Sequence, residues 1–431
     1  MRRPAKPRFA FAPPDLYNRA INRLGENMRS FDAARATADG RELSFPRLVG
    51  TPDEVRGREL IENKLLDIDL TVEERPFSFY PALAFGILKN MIGVGVALLI
   101  VQALVLAAWP RLGALAGLAL PLIARRLWAT YRRAAAHMLE DRSDEYRWHT
   151  ALIRHARASL RSANLVADLP HTGEIKHRVV LSAHTDTKSQ NMSIVVRIVC
   201  SLLFALGVFV LPIALLPAAV WPGWLAAGGW LWKILWLAAL AGGIVLLTLT
   251  VENRSPGATD DAGSCAVMLE TARALAADPP RGVAVRLVFT GAEELGLAGG
   301  IALAREMAAD PEWKDATFLN LEGVGGASKL WLATGAGPTG NQTATAARAV
   351  ELAKAAAADA GIAAKTLSRI IGGEADHIPL LEAGLSAVTL MFHGDYSRKV
   401  HTAGDTPDLL REQHMATAGK ILLAAIARLE G

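Results

Sequence analysis

The most prominent pattern along this 431-residue chain is a set of long runs without a charged residue. Met91–Trp109, Ile198–Trp221 and Ile234–Val251 are each apolar over about 18 residues or more, the length that a helix needs to cross a bilayer. Each of the first two is followed closely by another apolar run. The pattern therefore predicts two transmembrane helical hairpins.

Leu112–Ala124, the second run of the first pair, is shorter than the others. A spanning helix results if it continues to Ala129, with Arg125 and Arg126 reaching the membrane surface through their long side chains. A re-entrant segment and a buried core helix are the alternatives, and its length suits the core helix best.

Outside these runs, β-branched stretches alternate with stretches that have helical spacing. Strands are predicted over 70–77, 178–182, 283–289, 316–321 and 387–391, and helices over 53–66, 264–277, 300–307, 343–360 and 413–429. This alternation predicts an α/β fold with a mostly parallel sheet. Functional residues are then expected in the loops at the carboxyl ends of the strands.

Composition and charge indicate a membrane protein. Hydrophobic residues make up 52% of the chain, charged residues only 20%, and the net charge is +4. The basic cluster Arg125, Arg126, Arg132 and Arg133 lies just past an apolar run, where it is better explained as a membrane flank than as a nucleic-acid interface. Zinc-finger spacing and a GxxxxGK loop are both missing from the sequence. We therefore expect a lipid bilayer as a partner and no nucleic acid.

Topology follows from the same charges. Basic residues at 89, 125, 126, 132, 133, 197 and 254 flank the large polar segments, whereas only Arg111 and Lys233 lie in the short turns. Positive residues favour the inside, so we predict a multi-pass protein of about four spans with its large polar domain, which carries the candidate site residues described below, in the cytoplasm. The predicted division is one polar domain in three parts, 1–85, 131–195 and 253–431, with hairpins at 86–130 and 196–252.

Five loops outside the apolar runs each carry a residue that can bind metal or move a proton. His184 and Asp186 follow one strand as H-x-D, and Asp260 precedes a helix, where on its own it would be an N-cap. The other positions are Glu293, Glu294, Glu322 and His401. Two histidines, two glutamates and one aspartate form the ligand set that two zinc ions sharing a carboxylate require.

The ordered motifs AHTD, PGATDD, GAEELG, NLEG and HTAGDT resemble those of metallopeptidase family twenty-eight, the di-zinc aminopeptidase and glutamate carboxypeptidase group. RLVGTPDEVRGRELIENKL, SANLVAD and GEADHIPLLEAGLSAVTL resemble further segments of that family. The resemblance covers nearly all of the polar chain and neither hairpin. It implies a three-layer α/β/α fold of the phosphorylase/hydrolase type, here interrupted by two transmembrane hairpins, and a peptide substrate.

The resemblance also implies a role for each residue. His184 and Glu322 would bind one zinc ion, and Glu294 and His401 the other. Asp260 would bridge the two ions, with a cis peptide bond to Asp261. Glu293 would be the general base and Asp186 would orient His184.

One departure from the family affects the expected function. Val400 stands where the family often has a tyrosine that stabilises the oxyanion, and Tyr396 is the nearest tyrosine in the sequence.

Three functions stay open. They are a zinc aminopeptidase acting on a free amino terminus, a glutaminyl-cyclase-like acyltransferase with one zinc ion, and a non-catalytic membrane scaffold of the same fold.

Overall fold

The computed structural model describes residues 29–142, 145–146, 158–228, 230–336, 341–342, 345–368 and 373–430. Its strands are β1 Val72–Phe79, β2 Leu160–Asp168, β3 Thr172–His184, β4 Ser189–Gln190, β5 Val251–Glu252, β6 Arg281–Thr290, β7 Thr317–Glu322, β8 Lys329–Ala333, β9 Gly335–Ala336, β10 Asn341–Gln342, β11 Ala364–Leu367 and β12 Ser386–His393. Eight of them form one sheet in the order β1-β2-β6-β3-β7-β12-β8-β11. The predicted α/β class is confirmed.

The centre of this sheet is parallel, as predicted. Neighbours pair in parallel from β6 through β3 and β7 to β12, and β8 pairs in parallel with β11. β1, β2 and β8 add antiparallel pairs towards the edges. The central strands are buried on both faces, which explains why their sequences are continuous apolar runs such as Val283–Phe289 rather than alternating patterns.

Helices cover both faces of the sheet. In chain order they are α1 Ala33–Glu42, α2 Pro52–Leu66, α3 Phe85–Ala108, α4 Pro110–Ala116, α5 Ala119–Ala136, α6 Ile194–Ala205, α7 Leu211–Leu215, α8 Pro217–Val220, α9 Trp224–Ala227, α10 Leu231–Leu247, α11 Gly263–Ala277, α12 Ala298–Ala309, α13 Ala346–Asp359, α14 His377–Glu382 and α15 Glu412–Leu429. One layer consists of α1, α11, α13 and α15, which contact one another, β3 and β12. A second layer contains α12 and α14, which pack together over β2, β7 and β12. The predicted elements are observed with ends shifted by a few residues; for the helix predicted over 343–360, residues 343 and 344 lie outside the described part.

Three helical segments among the described residues are long and apolar enough to cross a membrane, namely Pro81–Ala108, Pro110–Ala136 and Ile194–Val220. A fourth apolar helix, Leu231–Leu247, is shorter. The second segment is longer than its apolar run, because the helix continues past Arg125 and Arg126 to Ala136. Of the alternatives for Leu112–Ala124, the structure therefore has the long helix.

Both hairpins are anchored to the domain and to each other. At the base of the first hairpin, Leu83, Ile87 and Met138 pack against Ala292 and Leu295, the neighbours of the paired glutamates. Further out, the two hairpins share small apolar clusters, and glycines permit close approach between their helices. Large apolar side chains such as Leu104, 66% exposed, point away from the protein.

The buried guanidinium of Arg47 ties three segments together behind the strand ends. Its Nε donates to the carbonyl of Thr185 at 2.8 Å, and Nη1 donates to the carbonyls of Phe45 at 2.8 Å and Pro256 at 3.1 Å. Its backbone N–H donates to Oγ1 of Thr187 at 2.7 Å. The loops after β3 and before α11 are therefore fixed relative to each other by one cation.

Replacing Arg47 with methionine should leave several buried carbonyl groups without a donor. Hydrogen bonds to charged groups contribute about 1.5–3 kcal/mol each, so we expect a loss of at least about 2 kcal/mol in the free energy of unfolding. Thermal unfolding of the purified full chain in detergent measures this. Arg41→Met is the control, because Arg41 is exposed, and equal stabilities of the two variants would contradict the prediction.

Candidate metal centre

The ends of three adjacent parallel strands form the floor of the site. His184 is the last residue of β3 and Glu322 is the last residue of β7. The paired glutamates follow the end of β6, which lies on the other side of β3. Because parallel strands end at the same edge of a sheet, residues more than a hundred positions apart in the sequence meet there.

The five predicted ligands form two groups that share one carboxylate. His184, Asp260 and Glu322 make the first group, and Asp260, Glu294 and His401 make the second; in each group the ligand atoms lie within 4.8 Å of one another. Oδ1 of Asp260 is 3.0 Å from Nε2 of His184, and Oδ2 is 3.1 Å from Nε2 of His401. Both carboxylate oxygens of Asp260 are thus used, one for each group.

Asp405 holds Asp260 in this position. Its Oδ1 accepts the N–H of Thr259 at 2.9 Å and the hydroxyl of Thr259 at 2.7 Å, while Oδ2 accepts the N–H of Asp260 at 3.1 Å. The Asp260–Asp261 peptide bond is cis, as the resemblance implied. Sequence analysis did not single out Asp405, although it lies within the quoted motif HTAGDT.

Asp186 lies next to both His184 and the turn that carries the paired glutamates. Its carboxylate accepts the backbone N–H groups of Glu293 at 3.0 Å and Glu294 at 3.1 Å. Nδ1 of His184 is 3.1 Å from the backbone carbonyl of Asp186 and 3.7 Å from its carboxylate. The backbone carbonyl is therefore the closer partner of the imidazole, and the carboxylate fixes the turn that carries the two glutamates.

The two adjacent glutamates point to different environments. Glu294 lies in the second group, with Oε2 3.1 Å from Nε2 of His401, whereas Glu293 belongs to neither group. Their turn uses left-handed backbone at Ala292, Gly296 and Leu297, a conformation that non-glycine residues adopt mainly where a site requires it.

Burial and like charges raise the pKa of two carboxyls in this cluster. Burial is the main reason that the pKa of Glu293 lies well above its usual range, and Glu294 and Glu322 add to it. Burial likewise raises the pKa of Glu322 to about 7. Burial would lower the pKa of His184, but the surrounding glutamates outweigh it and raise that pKa well above normal. The cluster is thus an excess of buried negative charge.

The donor set fits two zinc ions. Imidazole nitrogens and carboxylate oxygens are ligands that zinc accepts, and an open position is normal in a catalytic site. Oε2 of Glu322 and Oδ2 of Asp261 are buried without a hydrogen-bond partner in the described part of the chain. An orphaned ligand oxygen and uncompensated negative charge are what a bound cation would relieve.

The sequence did not predict that two cations lie next to the second group; residue 197 was noted only as a basic residue that flanks an apolar run. Nζ of Lys188 is 2.5 Å from Oε2 of Glu294, and Nη2 of Arg197 is 3.2 Å from Nδ1 of His401. The only sequence signal was their position just after the H-x-D motif. The side chain of Tyr396, considered for the oxyanion, lies outside the described part.

Comparisons with known proteins indicate a similarity to peptidases. Residues 242–426 match the profile of peptidase family M28, a stretch that contains every predicted site residue except His184 and Asp186. Aminopeptidase YwaD of Bacillus subtilis (strain 168) is 29% identical over 180 residues. That alignment covers 40% of this chain and 37% of YwaD, so the matched stretch spans little more than a third of that relative.

Solved structures share the fold at low identity. The aminopeptidase from Aneurinibacillus sp. strain AM-1 aligns with a TM-score of 0.53 at 16% identity, over 92% of this chain and 94% of that chain. BSAP, a zinc aminopeptidase from Bacillus subtilis, aligns with a TM-score of 0.52 at 15% identity, over 94% of this chain and 96% of that chain. A glutaminyl cyclase from an Acidobacteriales bacterium aligns with a TM-score of 0.52 at 15% identity, over 94% of this chain and 97% of that chain. The fold is therefore common to peptidases and cyclases, and residues 242–426 of the chain are similar to peptidase family M28.

Proposed function

We propose that this chain is a membrane-embedded di-zinc metallopeptidase that cleaves peptides from a free amino terminus. The observation that carries the proposal is that the acidic residues at the strand ends separate into candidate metal ligands and one glutamate that is not a ligand. Two groups of ligands share Asp260, and one buried glutamate, Glu293, stands outside both. A carboxylate free of the metal ligands is what a hydrolase needs to move protons.

The residues would act as follows. His184 and Glu322 would hold one zinc ion, Glu294 and His401 the other, and Asp260 both. When bound, the ions supply Lewis-acid polarisation of the scissile carbonyl and of a water molecule. Glu293 accepts the proton of the attacking water and delivers it to the nitrogen that leaves. Asp186 keeps Glu293 aligned by accepting its backbone N–H.

The choice of an aminopeptidase rests on similarity. YwaD and two of the similar solved structures are named aminopeptidases, whereas the described side chains near the site include no group assigned to the substrate amine. A glutaminyl-cyclase-like acyltransferase is the second candidate, because a cyclase shares the fold equally well. A scaffold without activity is disfavoured, since all five ligands and the base come together.

We also propose that the apolar hairpins, 86–130 and 196–252, lie in the bilayer. The peptidase domain would then be built from 1–85, 131–195 and 253–431 on one face. The apolar helices and their exposed side chains support membrane insertion. The basic residues that flank the large segments support the cytoplasmic face.

The glutamate pair gives the sharpest test of the mechanism. Glu293→Gln removes the base and keeps the ligands, so we expect kcat to fall about 10²–10⁴-fold with two zinc ions retained. Glu294→Ala removes a ligand, so its zinc content should fall towards one ion per chain. Turnover and zinc content are measured on the same preparations. Glu351→Gln, at an exposed position, is the control; parental activity in Glu293→Gln would rule out the proposed base.

Substrate polarity is tested with a pair of peptides that differ only at the amino terminus. A free leucyl peptide should lose its first residue, whereas its N-acetylated form should stay intact, because an aminopeptidase requires the amine. Mass spectrometry of the products reads the site of cleavage. Release of residues from the carboxyl end, or a cut within the chain, would refute the aminopeptidase; loss of ammonia from an amino-terminal glutamine would favour the cyclase.

Topology is tested by single cysteines in a variant without Cys200 and Cys265. Ala227→Cys lies in the turn of the second hairpin, and Ala363→Cys lies on the domain surface; both positions are exposed. On intact cells, an impermeant thiol reagent should label position 227 and spare position 363. Labelling of 363 alone would invert the orientation, and labelling of both would mean that the hairpin does not cross the membrane. Labelling after cell lysis controls for reactivity.

A further inference from the structure

The second apolar hairpin is joined to the domain by a closed neck, which we define as residues 188–193 and 248–254 together with Arg197 at the start of the hairpin. β4 pairs with β5 across this neck. The hydroxyl of Ser189 donates to the carbonyl of Glu252 at 2.8 Å and accepts the N–H of Arg254 at 2.9 Å. Asn191 adds two bonds, to the carbonyl of Thr248 and from the N–H of Thr250.

The neck contacts the second metal group directly. Nζ of Lys188 lies 2.5 Å from Oε2 of Glu294 and 3.1 Å from the carbonyl oxygen of the same residue. The backbone N–H of Gln190 donates to the carbonyl of His401 at 2.9 Å, and Nη2 of Arg197 donates to its Nδ1 at 3.2 Å. Both ligands that belong only to the second group are therefore held by the neck.

The first metal group has no equivalent contact among the described residues. His184 is bonded through Asp186 and Asp260, and the nearest partner of Glu322 is His184. The two groups share Asp260 and the same ligand types, so the neck is the main difference between them.

Two of the neck cations, Lys188 and Arg197, oppose an ion in the second group. The ammonium of Lys188, only 13% exposed, already neutralises the glutamate oxygen that faces His401, and its charge repels a second cation in a poorly solvated place. A guanidinium can only donate, so Nδ1 of His401 must accept. Zinc-binding histidines ordinarily donate from that second nitrogen, a bond that makes the ligand nitrogen more basic. Because Arg197 donates to Nδ1 of His401, this nitrogen accepts a hydrogen bond where a zinc-binding histidine would donate one. His401 is therefore a weaker ligand.

We propose that Lys188 and Arg197 are positioning residues that make the second metal group the weaker of the two and couple its loading to the neck of the second hairpin. This coupling is reciprocal because of thermodynamic linkage. A metal ion that displaces Lys188 and Arg197 from the second group must also move the neck. Conversely, a movement of the neck that withdraws these two side chains must strengthen metal binding at the second group. The inference rests on the metal sites of the proposed function and is independent of peptide hydrolysis.

The test is a zinc titration of the metal-free full chain in lipid nanodiscs, with a competing chelator. The parent should bind two ions in separate steps, the second at least about tenfold more weakly. Lys188→Gln and Arg197→Gln should each tighten the second step by about tenfold, equivalent to about 1.4 kcal/mol, and leave the first unchanged. Lys188→Arg and Arg197→Lys keep the charge and should retain a weak second step.

Arg254→Gln is the matched control, since this neck cation pairs with Glu252 and not with the metal groups. Hydrogen exchange of the segment 188–197 gives a second measurement, and it should change with the second ion and not with the first. Equal affinities in the parent, or a second step that is unchanged or weaker in both glutamine variants, would overturn the inference. A chain that binds no zinc would instead refute the proposed function, and two ordered steps without peptide cleavage would refute only the peptidase.

Discussion

The carboxylate of Asp260 is the interaction on which the rest of the site depends. One of its oxygens faces His184 and the other faces His401, so two loops that are separated by 217 positions in the numbering must converge on a single side chain. A carboxylate shared in this way has no freedom to rotate towards either partner without losing the other. Its backbone is fixed in turn by Asp405, and the loop before it by Arg47. The order of the central strands then follows as a requirement, because only adjacent parallel strands bring His184, Glu322 and the glutamate turn to one edge.

The apolar hairpins belong to this arrangement and are more than attachments to it. The first enters after β1, and its base packs on the residues that flank the paired glutamates. The second lies between Asp186 and Asp260, and its neck bonds to Glu294 and His401. Each hairpin therefore touches a different part of the site. If the membrane-proximal end of either hairpin moved, the displacement would reach a predicted metal ligand or the proposed general base, Glu293, through packed side chains.

Much of the fold and of the candidate site could be predicted from the sequence, for a definite physical reason. Strands and helices reveal themselves through the period of their apolar positions, and ligands at strand ends meet because the strands are parallel. The resemblance to a family added the cis bond at Asp260–Asp261. The contacts that hold the site residues in place could not be predicted from the sequence. Asp405 binds a residue 145 positions away, and the bonds from the Asp186 carboxylate to the glutamate turn span more than 100. The period of apolar positions carries no information about such pairs, and Arg125 and Arg126 left the length of their helix open between the alternatives.

The electrostatics of the cluster support the proposal that one glutamate of the adjacent pair serves as a base and the other as a ligand. His401 and Lys188 hold the pKa of Glu294 below its usual range despite burial, so it stays ionised and available to a cation. Burial and neighbouring carboxylates raise the pKa of Glu293, which makes it a better proton acceptor than an exposed glutamate. Cations bound at the two groups would offset the repulsion from neighbouring carboxylates, but the effect of burial would remain. The peptide bond between the two residues keeps them adjacent, and the carboxylate of Asp186 holds both N–H groups in one orientation. The different tasks proposed for the pair therefore arise from the groups that each side chain faces.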